Sequence, residues 1–140
     1  MLLESDIFIA YVKKEDWLKK TAVAIIDAVE NGQLSPVQAS TELFHEFYYV
    51  FSDYAPLHVI MADEAKIATI KNLNYIHPDY TTYLSALSIM DTYGITSIFD
   101  AIYAATALSV SVPDHTIIST DEVYDVIKGI KRVDPRQLKI

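Results

Sequence analysis

Apolar residues in this chain alternate between short unbroken blocks and longer stretches in which they recur every three or four positions. The first pattern suits strands buried on both faces, the second helices with one apolar side. Met1 to Ser5 reads as a first strand and Ile7 to Val12 as a short apolar helix. Glu15 to Glu30 carries Trp17, Leu18, Ala22, Ile25, Ile26 and Val29 at helical spacing and stops at Asn31-Gly32, a helix C-terminus signal. Leu34 and Ser35 read as a second strand before Pro36, and the helix after it presents Phe44, Phe47, Tyr48, Phe51 and Tyr54 as a wide aromatic stripe. Such a stripe serves core packing, a dimer surface, or both. A helix from Pro56 to about Lys71 leads to a strand near Asn74 to His77. The next helix starts at the N-cap Asp79, with Tyr83, Leu84, Leu87 and Met90 on one face. The spacing then predicts a helix over Ser97 to Val112, a strand over His115 to Ser119, a short helix over Val123 to Ile127 and a last strand over Ile130 to Val133. Strands separated by helices in this way imply an α/β fold, a parallel sheet covered on both faces.

Three glycines, five prolines, no repeat and no low-complexity segment among 140 residues leave no linker, so residues 1–140 are expected to form one domain. The absence of cysteine excludes disulfides, thiolate zinc sites and a catalytic thiol. Met1 leads into Leu2, Leu3 and acidic residues without a basic segment, which argues for a cytoplasmic protein. Ile95 to Val112 is nearly uncharged but holds Asp100 and several Ser and Thr, so it reads as a buried helix and no membrane span is expected. The net charge of -8 disfavours a broad nucleic-acid-binding surface, although carboxylates gathered around divalent ions would be neutralised locally. Basic residues group at Lys13, Lys14, Lys19 and Lys20 and at Lys128, Lys131, Arg132, Arg136 and Lys139, either as solvated faces or as a phosphate-binding rim.

Candidate chemistry rests on acids. Asp6 follows the first strand and Asp121 the strand His115 to Ser119, so both are expected at the sheet edge where such folds bind ligands. Asp100 is the only charge in the eighteen positions from Ile95 to Val112. A buried carboxylate needs a cation, hydrogen bonds or an upward pKa shift; the rival account is an acid near a helix N-terminus, stabilised by free N–H groups and the dipole. Glu42, early in its helix beside Ser40 and Thr41, reads alone as a capping acid and gains weight as a fourth member of the set. His45, His58, His77 and His115 show no metal-binding spacing, and no phosphate-cradling glycine motif or serine-nucleophile elbow is present. A haloacid-type phosphatase would carry a second Asp two residues after Asp6, where Phe8 stands.

The sequence resembles the PIN domain, in particular the single-domain prokaryotic proteins related to VapC-type toxins. The likeness lies in L-L-E-S-D-I-F-I-A-Y with Asp6, L-S-P-V-Q-A-S-T-E-L with Glu42, S-I-F-D-A-I-Y-A-A-T-A-L with Asp100 and I-I-S-T-D-E-V-Y-D-V-I with Asp121, and in the closing K-R-V-D-P. The chain departs from the family at Phe8, where a Ser, Thr or Asn usually follows the first Asp by two residues. The resemblance implies a three-layer α/β/α fold with a central five-stranded parallel sheet. It also implies that Asp6, Glu42, Asp100 and Asp121 surround one or two ions, with Ser119 orienting Asp121 and Asp125 as either an additional ligand or a holder of water. Hard carboxylate oxygens suit Mg²⁺ or Mn²⁺, which activate water for attack on a phosphodiester. The implied activity is an endoribonuclease with RNA as substrate, the toxin of a toxin–antitoxin pair with an antitoxin protein as partner, and a homodimer. The alternative is a catalytically weakened PIN-fold module that binds RNA or a protein.

Overall fold

The computed structural model describes all 140 residues. Its strands are β1 (Leu2–Leu3), β2 (Val37–Ser40), β3 (Leu73–Ile76), β4 (Thr116–Ile118) and β5 (Lys131–Val133). Its helices are α1 (Ser5–Val12), α2 (Lys19–Glu30), α3 (Glu42–Phe51), α4 (Leu57–Ala68), α5 (Tyr80–Tyr93) and α6 (Ile98–Ala107), with 3-10 turns at Glu122–Val126 and Pro135–Gln137. The strands form one sheet in the order β3-β2-β1-β4-β5, and every pairing is parallel. The three-layer α/β/α architecture with a five-stranded parallel sheet is therefore the observed one.

Alternation along β1 divides the core. Leu3, with Val37, Ala39 and Ile118, packs against apolar side chains of α1, α2, α3 and α4. Leu2, with Ile117, packs on the opposite face against α5, α6 and Tyr124. Both β1 leucines are almost wholly buried, as expected where helices cover both faces of a parallel sheet. Fully burying each such side chain contributes roughly 1.5–3 kcal/mol. No helix is long and apolar enough to cross a membrane.

The first strand is shorter than the expected Met1 to Ser5, since Ser5 already opens α1 behind the Glu4 cap, and the short helix expected over Val123 to Ile127 is a 3-10 turn over Glu122–Val126. Three further elements differ more from the sequence expectation. The second strand is Val37–Ser40, not Leu34 and Ser35. Leu34 closes the end of α2, its N–H donating to the Ala28 carbonyl, and its side chain is buried in the core. The true strand contains Gln38 and Ser40, which interrupt the apolar run, yet both are buried. Gln38 accepts from the N-terminal amine and Ser40 from the Glu42 N–H. Helix α2 begins at Lys19, because the Asp16 carboxylate caps the chain at the Leu18 N–H and Trp17 stays exposed under the Arg136 guanidinium. Helix α6 ends at Ala107, where the Ser109 side chain bonds back to the Thr106 carbonyl and the chain turns toward β4.

The order of strands reverses direction at β1: the chain moves outward to β2 and β3, then returns to the other side of β1 for β4 and β5. A crevice opens beyond the carboxyl ends of strands at such a point. Glu4 follows β1 there, and Ser119, Thr120 and Asp121 follow β4.

Candidate active site

Two adjacent parallel strands deliver the first acids. The Glu4 N–H continues the β1–β4 ladder by donating to the Ile118 carbonyl, which fixes the position of its side chain. Glu4 is buried, and its carboxylate accepts from the Ser5 hydroxyl at 2.5 Å and the Ser119 hydroxyl at 3.1 Å. Asp6 stands one step on, in the first turn of α1. One oxygen, Oδ2, accepts from the Thr120 N–H at 2.8 Å and from its hydroxyl at 2.7 Å. The other, Oδ1, is buried and has no partner. Burial pushes both carboxyls up, Glu4 well above its ordinary value with Asp6 adding to the effect, while the Thr120 bonds pull Asp6 part of the way back.

Ser119 ties this pair to the fourth acid. Its hydroxyl donates to Glu4 and accepts from the Asp121 N–H at 3.0 Å, and Asp121 lies exposed at the rim, capping the following turn through the Val123 N–H. Asp125, expected as either an additional ligand or a holder of water, has both oxygens engaged by Arg132 at 2.8 and 3.0 Å. Arg132 also donates to the Ser119 carbonyl, so this ion pair braces the loop that presents Asp121.

Asp100 is the third residue of α6, and its N–H donates to the Ser97 N-cap hydroxyl. The helix-terminus account is thus part of the truth. It does not prevail electrostatically, because burial, then repulsion from Asp121 and Glu46, pushes the carboxyl up to about 6. The structure therefore brings Asp100 into the field of Asp121. Glu42 opens α3 and is also buried, but its carboxylate meets the His45 ring at 3.2 Å.

Two acids escape the sequence reading. Glu4 adjoins the strand end and so reads as part of the strand, which leaves Asp6 as the acid that follows it. With Glu4 in that place, Asp6 itself follows the first acid by two residues, and Phe8 is a fully buried core side chain. Glu46 lies one turn after Glu42 on the same face of α3. It accepts from the Tyr103 hydroxyl at 2.5 Å, and burial, with repulsion from Asp6 and Glu42, pushes it up. The one available signal was this i, i+4 pair of acids.

As the side chains stand, no three acids converge at metal-ligand distance. The donor set nevertheless fits a hard divalent ion by its chemistry: carboxylate oxygens, one of them buried without a partner, and several acids raised by burial first and by repulsion from one another second.

The PIN domain profile matches residues 1–130. Among curated protein sequences none matches significantly. Three solved structures are similar over nearly their full length. One is VapC20 of Mycobacterium tuberculosis, described as a sarcin–ricin loop cleaving toxin, with TM-score 0.71 and 14% identity, covering 94% of this chain and 97% of that one. Another is VapBC2 from Rickettsia felis bound to a DNA fragment from its promoter, with TM-score 0.69 and 12% identity, covering 94% and 96%. The third is FitAcB from Neisseria gonorrhoeae, with TM-score 0.64 and 16% identity, covering 98% and 99%.

Proposed function

The chain belongs to the PIN domain family, and from that premise we propose that it is a divalent-metal-dependent endoribonuclease acting as the toxin of a toxin–antitoxin pair. The observation that carries the reading is the unpartnered, buried Asp6 Oδ1 beside the strand switch point. A buried carboxylate oxygen without a hydrogen bond is costly, and a cation relieves that cost.

Asp6, Asp100 and Asp121 would hold Mg²⁺ or Mn²⁺, with Glu42, the buried first residue of α3, as the fourth acid of the set. When bound, such an ion supplies Lewis acidity and the activation of water that phosphodiester hydrolysis requires. The chain's own contribution is orientation. Thr120 clamps one oxygen of Asp6, Ser97 fixes the turn that carries Asp100, and Ser119 couples Glu4 to Asp121. RNA as the substrate is supported by the sarcin–ricin loop named for the M. tuberculosis neighbour. An antitoxin partner is supported by the VapBC and FitAB assemblies among the neighbours. Such a protein would work in the cytoplasm. A homodimer agrees with the exposed apolar row Tyr80, Tyr83, Leu84 and Leu87 on α5.

A second reading, a PIN-fold module that binds RNA or a protein without cutting, draws on the failure of any three acids to converge as they stand. Incubating purified protein with mixed RNAs in Mg²⁺, Mn²⁺ or EDTA, beside Asp100→Asn, separates the two. The nuclease reading expects metal-dependent cleavage that the variant lowers by at least about a hundredfold while keeping its circular dichroism. Equal cleavage by both proteins would refute the site, and none by either would leave the binding module.

A further inference from the structure

We infer that Glu46, held in place by Tyr103, is a further carboxylate of the cation site, joining Asp6 and Asp100 from the second turn of α3. The inference rests on the metal-dependent reading above and adds a residue to it.

Helix geometry supplies the placement. Asp100 and Tyr103 are three residues apart on α6 and therefore share one face. The Tyr103 hydroxyl reaches across to Glu46 at 2.5 Å, which fixes the Glu46 carboxylate beside the turn that carries Asp100. Tyr103 is almost wholly buried, so its ring has no freedom to swing the hydroxyl elsewhere. Glu42, one turn earlier on α3, is engaged by His45. Of the two α3 acids, Glu46 is the one whose charge is felt by Asp100 and Glu4.

Two atoms point independently to a bound species. Asp6 Oδ1 is a buried acceptor with no donor. The Tyr124 hydroxyl is likewise buried and unpartnered, on a side chain with no solvent exposure, in the field of Glu4, Asp100 and Glu46. A tie between α3 and α6 alone would be served by any neutral acceptor for Tyr103. A carboxylate there, repelled by its neighbours, costs stability that one phenolic hydrogen bond does not restore and that a divalent cation does.

The test is Mn²⁺ alone, titrated calorimetrically into the full chain, for wild type, Glu46→Gln, Tyr103→Phe and Asp100→Asn. Glu46→Gln keeps an acceptor for Tyr103 and removes only the charge; Tyr103→Phe keeps the ring and removes only the tether. Both are expected to weaken Mn²⁺ binding about tenfold, with the melting temperature of metal-free Glu46→Gln equal to or above that of wild type. Wild-type affinity in Glu46→Gln, with Asp100→Asn impaired, would overturn the assignment of Glu46 and leave the nuclease reading standing. No Mn²⁺ uptake by wild type would overturn both. Should Tyr103→Phe fail to fold, Glu46→Gln decides the matter alone.

Discussion

Glu4, Asp6, Glu46 and Asp100 share one electrostatic condition: burial raises each of them above the ordinary carboxylate value. The sign of its effect on stability follows directly. Asp100 titrates near 6 in the folded chain against an ordinary 3.8, so between these pH values the folded state holds more protons than the unfolded one. Stability therefore falls as pH rises through that window, with solvent screening of the part-exposed Asp100 keeping its share modest and the other three acting in the same direction. Asp134, pulled down to about 2 by Arg136, and Asp125, lowered by Arg132, act oppositely, and their contribution fades as pH drops below about 4. The metal-free protein should accordingly melt at a higher temperature at pH 5 than at pH 7.5, and Mn²⁺ should close the gap at the higher pH. A melting temperature that climbs steadily from pH 5 to 7.5 in EDTA would show that burial does not hold these acids above their ordinary values.

Helix α6 shows why elements were more legible than the partners of their side chains. Asp100 stood out in the sequence because an apolar helix made its charge conspicuous, and its place in the first turn is equally readable from Ser97 three residues before it. Removing that cap in Ser97→Ala should cost about 1 kcal/mol, read as a lower urea midpoint at constant slope. An unchanged midpoint would mean that α6 is held by packing alone. Strand β2 was the opposite case: a strand buried on both faces conceals its polar residues, and only the bonds from Met1 to Gln38 and from Glu42 to Ser40 explain why they are tolerated. The chain order of elements, the parallel sheet and the sheet edge bearing Asp6 and Asp121 were all readable from periodicity. Glu4 was not, since a residue adjoining a strand end reads as part of the strand. Nor was Glu46, whose role depends on a tyrosine fifty-seven positions away.

At the scale of the molecule, the charge of -8 and the distribution of exposed apolar groups pull in different directions. Several of the basic residues that read either as solvated faces or as a phosphate-binding rim are committed internally: Arg132 to Asp125, Arg136 to Asp134 and the Trp17 ring, and Lys19 to backbone carbonyls of Tyr11 and Lys13. The aromatic stripe of α3 divides between roles, with Phe47 in the core and Tyr48 and Tyr54 outside. Helix α5 is more decisive. Ala86 and Ile89 face inward, while Tyr80, Tyr83, Leu84 and Leu87 form a row at i, i+3, i+4 and i+7 that is 41–75% exposed. Copies that repel through net charge associate only where apolar area outweighs that repulsion, and a continuous apolar row is the surface able to do so. Sedimentation at micromolar concentration is therefore expected to give the mass of a dimer, and Leu84→Glu a monomer with an unchanged far-ultraviolet spectrum, because this side chain leaves no cavity when replaced. A wild-type monomer at the same concentration would mean that the row awaits a different chain. A Leu84→Glu dimer would move the contact to the exposed tyrosines of α3.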